Sequence, residues 1–231
     1  TFKWNMGWMH DFLDYMKLDP YFRKFNHNKM TFGITYCTSE NFILVLSHDE
    51  VVHLKCSMIN KMPGEYEDKF ANLKVGYTFM LGHPGKKLLF MGQDFGQFHE
   101  WDEKVSLDWY LTKEPFHADL QNYVKGLLTL YHKYPALYRL DEEYDGFQWI
   151  NANDGDRSIY SFVRYAKNHK KSLLFDAPHN LDAYLQYLEW ARKPEERFYL
   201  PRRRIMRRVA ASLQKLVDNE LDELFLSFPP R

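Results

Sequence analysis

His48, Asp49 and Glu50 place an imidazole and two carboxylates on consecutive positions, directly after the run Asn41-Phe42-Ile43-Leu44-Val45-Leu46. The run is almost wholly apolar and β-favouring, and it is too short for a helix core. A buried parallel strand has that composition. In barrel enzymes of alternating strands and helices, the groups just past the C-terminal end of such a strand face the substrate. On spacing alone the same three residues also fit an acidic loop whose Asp caps the next helix.

Ser47 to His53 read SHDEVVH, Phe90 to Gln97 read FMGQDFGQ, and Lys3 to Asp11 read KWNMGWMHD. Together these strings resemble the catalytic domain of the glycogen (1,4-α-glucan) branching enzymes, in the α-amylase superfamily, from Thr1 to about Phe175. The resemblance implies an α/β fold: the C-terminal portion of a (β/α)8 TIM barrel over residues 1–140, then the first strands of an all-β C-terminal domain over 141–175. It also implies a transferase of glycogen biosynthesis, one that cuts an α-1,4-glucan chain and rejoins it as an α-1,6 branch; the cytoplasmic setting is expected separately, from two cysteines and no leader-like segment. The implied partner is α-glucan, with no cofactor and no metal.

Cleaving an α-1,4 bond with retention uses two carboxyl groups about 5 Å apart, as nucleophile and general acid. By resemblance Asp49 is neither; it matches a third, transition-state-stabilising carboxylate, and His48 matches a His that donates to the same sugar. Trp4, Asn5, Trp8, Glu50 and Asp94 are the implied substrate-binding residues, Trp4, Asn5 and Trp8 lining or supporting the cleft. Glu50 orients neighbours or begins the next helix, and His53 is structural or supporting. The nucleophile and general acid belong to strands that this family places before Thr1, so the chain alone is expected to be inactive.

The elements that must position these groups follow from periodicity. Thr1 to Lys17 reads as a loop running into a helix from about His10, and Asp19-Pro20 stops that helix. Tyr21 to Thr31 reads as a solvated connection, and Phe32 to Tyr36 fits a helical turn or a strand. After a loop over Lys55 to Met62, Met62-Pro63-Gly64 introduces a helix from Glu65 to about Leu81, with Tyr66, Phe70, Leu73, Tyr77 and Met80 on one stripe. Leu88 to Met91 is the next buried strand, expected to lie parallel and adjacent to the first. A further helix from His117 to Tyr134 turns Leu120, Tyr123, Val124, Leu127, Leu130 and Tyr131 inward, and Pro135 closes it. Where the family has Gly-Lys-Lys after its His, this chain has Leu54-Lys55-Cys56, which puts in doubt any bend that needs glycine. Most relatives place Asn-Glu where this chain has Gln93-Asp94. Trp101, Asp102, Leu107, Asp108 and Trp109 match a cleft-shaping loop.

The period then becomes two. Phe147 to Ile150 and Ser158 to Tyr165 alternate like half-buried antiparallel strands around a turn-rich segment over Asn151 to Asp156, and Ser172 to Phe175 suggests a third strand. From Asp176 the pattern turns helical, with one helix around Leu181 to Leu188 and another from about Arg202 to Asn219. This basic tail, residues 176–231, is similar to the start of phage terminase large subunits. There the strand Glu223 to Phe228 would lead to a phosphate-binding loop, which the chain does not contain, so ATPase activity is not expected. A join between unrelated pieces near residue 175 is the most economical account, and it predicts marginal stability. Because the chain opens on Thr1, it reads as a fragment.

Composition narrows the alternatives. The 231 residues are 45% hydrophobic with a formal net charge of zero, enough for one large or two small domains. Nucleic acid is therefore not expected as a partner except through residues 192–208, where arginines crowd. Aromatic residues make up 17%, which suits sugar stacking but is mostly explained by a core. Two cysteines make no disulfide framework, and the absence of any apolar run of about 18 residues predicts no membrane span.

Overall fold

The computed structural model describes residues 1–166, 180–190 and 192–217. Two compact units divide the chain, Thr1–Ala166 and Lys167–Arg231.

In the first unit the apolar run is the central strand of a small parallel sheet. β1 (Lys3–Trp4), β2 (Phe42–Leu46) and β3 (Lys86–Leu89) lie in that order. The register pairs Trp4 with Ile43 and Leu46 with Leu89. With neighbours on both edges and side chains covered on both faces, Leu44, Val45 and Leu46 are fully buried, which is why this strand is apolar throughout and does not alternate. The predicted strand at Leu88 to Met91 begins two residues earlier. Lys86 and Lys87 enter it because their amines reach polar partners, Lys86 Nζ at Asp141 and Lys87 Nζ at the His83 carbonyl, 2.6 Å away.

The first helix also begins earlier than its periodicity suggests. α1 (Met6–Met16) starts at once after β1, because the Asn5 side chain accepts from the Trp8 N–H at 2.9 Å and caps it. Its inner face carries Trp8, Met9, Phe12, Leu13, Tyr15 and Met16. The connection read as solvated contains two short helices, α2 (Pro20–Arg23) and α3 (Asn28–Phe32), followed by a 3-10 turn over Gly33–Thr35. Asp19 caps α2 and Pro20 occupies its first turn, so the sequence that stops one helix starts another.

α4 (Tyr66–Gly82) opens on a capping box between Glu65 and Asp68 and buries Phe70, Leu73, Tyr77 and Met80 of its stripe, whereas Tyr66, in the first turn, is exposed. α5 (Pro115–Lys133) buries His117, Leu120, Val124 and Leu127. Tyr123 and Leu130, predicted inward, are exposed; Tyr123 instead meets the Thr78 hydroxyl at 2.7 Å on the rim between α4 and α5.

The chain then forms an antiparallel hairpin, β4 (Phe147–Asp154) with β5 (Ile159–Arg164). β4 runs through the segment read as a turn, because register irregularities between Trp149 and Asn151 and between Asn151 and Asp154 absorb those residues within the strand. Tyr160 stacks on His27 at 4.2 Å and packs against Phe79.

Among the described residues the second unit holds a helix pair, α6 (Leu181–Trp190) and α7 (Tyr199–Val217). Glu189 accepts the backbone N–H groups of Phe198, Tyr199 and Leu200 at 2.7 to 2.9 Å, satisfying the first turn of α7. Asp182 takes both the Arg203 guanidinium and the Tyr199 hydroxyl. The suggested strands at Ser172 to Phe175 and Glu223 to Phe228 lie outside the described residues. Among the described residues, no helix is long and apolar enough to cross a membrane.

Candidate active site

Where β2 ends, the chain tightens into a 3-10 turn over His48–Glu50. The turn sets His48 Nε2 3.2 Å from Asp49 Oδ1, both side chains half-exposed. Glu50 points the other way and is buried, with Lys55 Nζ 3.7 Å from its carboxylate. It is absent from the lining of the cavity that His48 and Asp49 share.

A cavity of about 580 Å³ opens over this pair, walled by His48, Asp49, His53, Glu100, Trp101 and Asp102 among others. The loop after β3 supplies its far side. That loop is anchored by the Trp101 N–H on the Val51 carbonyl at 2.9 Å. The Gln93 side chain ties the loop to the Leu46 carbonyl at 3.2 Å. The His48 ring meets Trp101 edge-on at 5.9 Å and Phe90 at 5.7 Å, so two aromatic rings fix the imidazole's orientation. A ligand in the cavity meets the Trp101 ring beside the His48 imidazole and the Asp49 carboxylate, with further His and acidic side chains, His53, His99, Glu100, Asp102 and Glu103, around the rim.

The remaining predicted residues are distributed differently. Trp4 is 44% exposed on β1, whereas Trp8 is only 3% exposed and stacks on Phe12 at 4.7 Å within the core. Asn5 is buried as the α1 cap, so Asn5 and Trp8 act as supports. Asp94 does not share the cavity of Asp49: its carboxylate accepts from Gln121 of α5 at 3.3 Å and borders a separate, mainly apolar cavity of about 550 Å³. The loop after β3 turns back at Gly92 (φ 85°) and Gly96 (φ 70°), and the turn carries Asp94 towards α5. Among the described residues, no group of three or more His, Cys, Asp or Glu side chains is placed to hold a metal ion.

Reasoning from the sequence missed the place of one residue and doubted a bend that is present. The residue is Glu100, which lies on the cavity wall and binds backbone amides of the loop opposite. The bend is in that loop, which runs through His53, Leu54 and Cys56 at φ 56°, 66° and 67°. A bend is present where glycine was thought necessary, at about 1–2 kcal/mol for each non-glycine residue held there. The departure from Gly-Lys-Lys was the available signal.

Three parallel strands with helices between them, and an imidazole, a carboxylate and an aromatic ring at the C-terminal end of the central one, define a mixed α/β domain. No protein-family model matches the chain. Curated proteins do: it is 63% identical over 175 residues to the 1,4-alpha-glucan branching enzyme GlgB of Butyrivibrio fibrisolvens, a stretch covering 76% of this chain and 27% of that protein. The Geobacillus stearothermophilus enzyme of the same name is 53% identical over 174 residues, 75% of this chain and 27% of the relative. That of Rhodopseudomonas palustris is 48% identical over 186 residues, 80% and 26% respectively. Over about three quarters of its length the chain corresponds to a fragment of the 1,4-alpha-glucan branching enzymes, and it spans about a quarter of the length of these relatives.

Proposed function

We propose that this chain carries the sugar-binding edge of a branching enzyme's catalytic domain. That enzyme cuts an α-1,4-glucan and transfers the piece to form an α-1,6 branch. The carrying observation is the His48–Asp49 pair at the end of β2, facing a cavity walled by Trp101. Asp49 acts as the transition-state-stabilising carboxylate and His48 donates to the same sugar. The nucleophile and the general acid come from the other three-quarters of such a protein, since the retaining reaction needs two further carboxyl groups. β1, β2 and β3, parallel and consecutive, are read as neighbouring strands of a (β/α)8 barrel, and the β4–β5 hairpin as the start of an all-β domain. The free thiols Cys37 and Cys56 suit a cytoplasmic setting.

Affinity electrophoresis in amylose gels tests this. The chain should be retarded, Asp49→Ala and His48→Ala should each weaken retardation by about tenfold, and iodine absorbance of amylose should not fall. Retardation unaffected by both substitutions overturns the reading.

A further inference from the structure

Glu100 stands on the cavity wall with both carboxylate oxygens engaged by backbone amides. Its Oε2 accepts from the Leu54 N–H at 2.9 Å and its Oε1 from the Cys56 N–H at 2.7 Å. Those amides belong to the stretch whose backbone is left-handed at His53, Leu54 and Cys56. None of the three is glycine, which takes that conformation freely. Leu54 gains nothing from packing, since it is 95% exposed. The loop must therefore be held from outside, and one carboxylate bridging two of its amides does so.

The same loop reaches the acid of the site. Lys55, between the two clamped amides, extends its Nζ to the Asp49 carbonyl at 2.7 Å, and Lys61 Nζ donates to the Lys55 carbonyl. A change in the loop's backbone moves the root of Lys55 and releases its hold on Asp49.

We propose that Glu100 is a positioning residue: by bonding the Leu54 and Cys56 amides it locks the His53–Cys56 loop, and through Lys55 it fixes Asp49 for glucan binding. Only the last link rests on the glucan-site reading. The clamp itself is independent of it.

The test compares the full chain with Glu100→Gln, Glu100→Ala, and Glu100→Ala combined with Leu54→Gly and Cys56→Gly, reading amide hydrogen exchange and amylose retardation together. Glu100→Ala should speed exchange at Leu54 and Cys56 by about tenfold while leaving Leu44 to Leu46 unchanged. It should also weaken retardation by about five- to tenfold. The glycine pair, which needs no clamp, should restore retardation to within about threefold. Glu100→Gln keeps one acceptor and should show the same changes at smaller amplitude, which covers the case of an alanine variant that fails to fold. Unchanged exchange at Leu54 and Cys56, or lost retardation that the glycines do not restore, overturns the proposal. If the unsubstituted chain is not retarded by amylose, the glucan reading fails, and the exchange comparison still decides the clamp.

Discussion

Arg164 Nη2 lies 2.6 Å from Asp141 Oδ1, with the side chains only 4% and 2% exposed. The pair joins β5 to the segment after α5, and Arg164 also donates to the Gly82 and Gly146 carbonyls at 2.8 and 3.0 Å. Burial by itself raises the Asp141 carboxyl's pKa. Lys87, Arg164 and Lys86 outweigh that and hold it below the usual carboxylate range. The polar cluster thus fastens the hairpin onto the parallel sheet. Arg164→Met removes three bonds and leaves a buried carboxylate short of partners, so urea unfolding should show a loss of about 3–5 kcal/mol. A loss under about 1 kcal/mol would contradict this account.

Leu54→Gly should raise stability by about 0.5–1 kcal/mol, because the residue sits at φ 66°, is nearly fully exposed and loses no packing. A shift of the urea midpoint to lower concentration would show that the left-handed backbone there carries no strain.

Stability should fall as the solution is acidified from pH 6.5. Burial lowers the His83 pKa from 6.5 to about 3, although its Nδ1–H donates to the Pro84 carbonyl. Between those values the unfolded chain takes up a proton that the native imidazole refuses, so native stability is present above 6.5 and drains as pH falls. The slope approaches about 1.4 kcal/mol per pH unit from this one group. Asp141, whose native pKa is lowered, adds to the loss in the same direction at lower pH. His83→Gln should flatten the difference between midpoints measured at pH 6.5 and pH 4.5; an unaltered difference would place the titrating group elsewhere.

Gly146→Ala should cost several kcal/mol. A methyl group at that position would lie 2.0 Å from the Leu140 carbonyl oxygen, and backbone on both sides cannot yield as a flexible side chain can. The expected readout is a lowered thermal midpoint, with the near-ultraviolet signal of the β4–β5 aromatic residues lost first.

In the second unit, Glu189→Ala should cost about 1–3 kcal/mol, since one carboxylate serves three backbone N–H groups at the start of α7. Helicity measured by far-ultraviolet circular dichroism on thermal denaturation should decline earlier in the variant.

Much of the framework was legible because secondary structure depends on neighbours in sequence. The apolar run to Leu46 announced β2, the stripe through Phe70, Leu73, Tyr77 and Met80 announced α4, and the alternation around Phe162 announced the hairpin. Element ends were less legible. Asn5 advanced α1 by capping it, and Lys86 and Lys87 joined β3 because Asp141 and a backbone carbonyl were waiting for their amines. The position of His48 and Asp49 at the end of β2 was readable for a related reason, since a strand's end and the residues just past it are contiguous.

Sequence alone determined the strand, its reactive end and the helices beside it, because periodicity and capping act over a few residues. Only the tertiary structure decided which groups share a site. Trp8 went to the core because α1 turns it onto Phe12, and Asp94 left the cleft because its loop turns it towards Gln121. Glu100 became part of the cavity wall by binding an amide 46 positions away. Contacts across such separations depend on how loops close in space, and no local pattern of residue types records that.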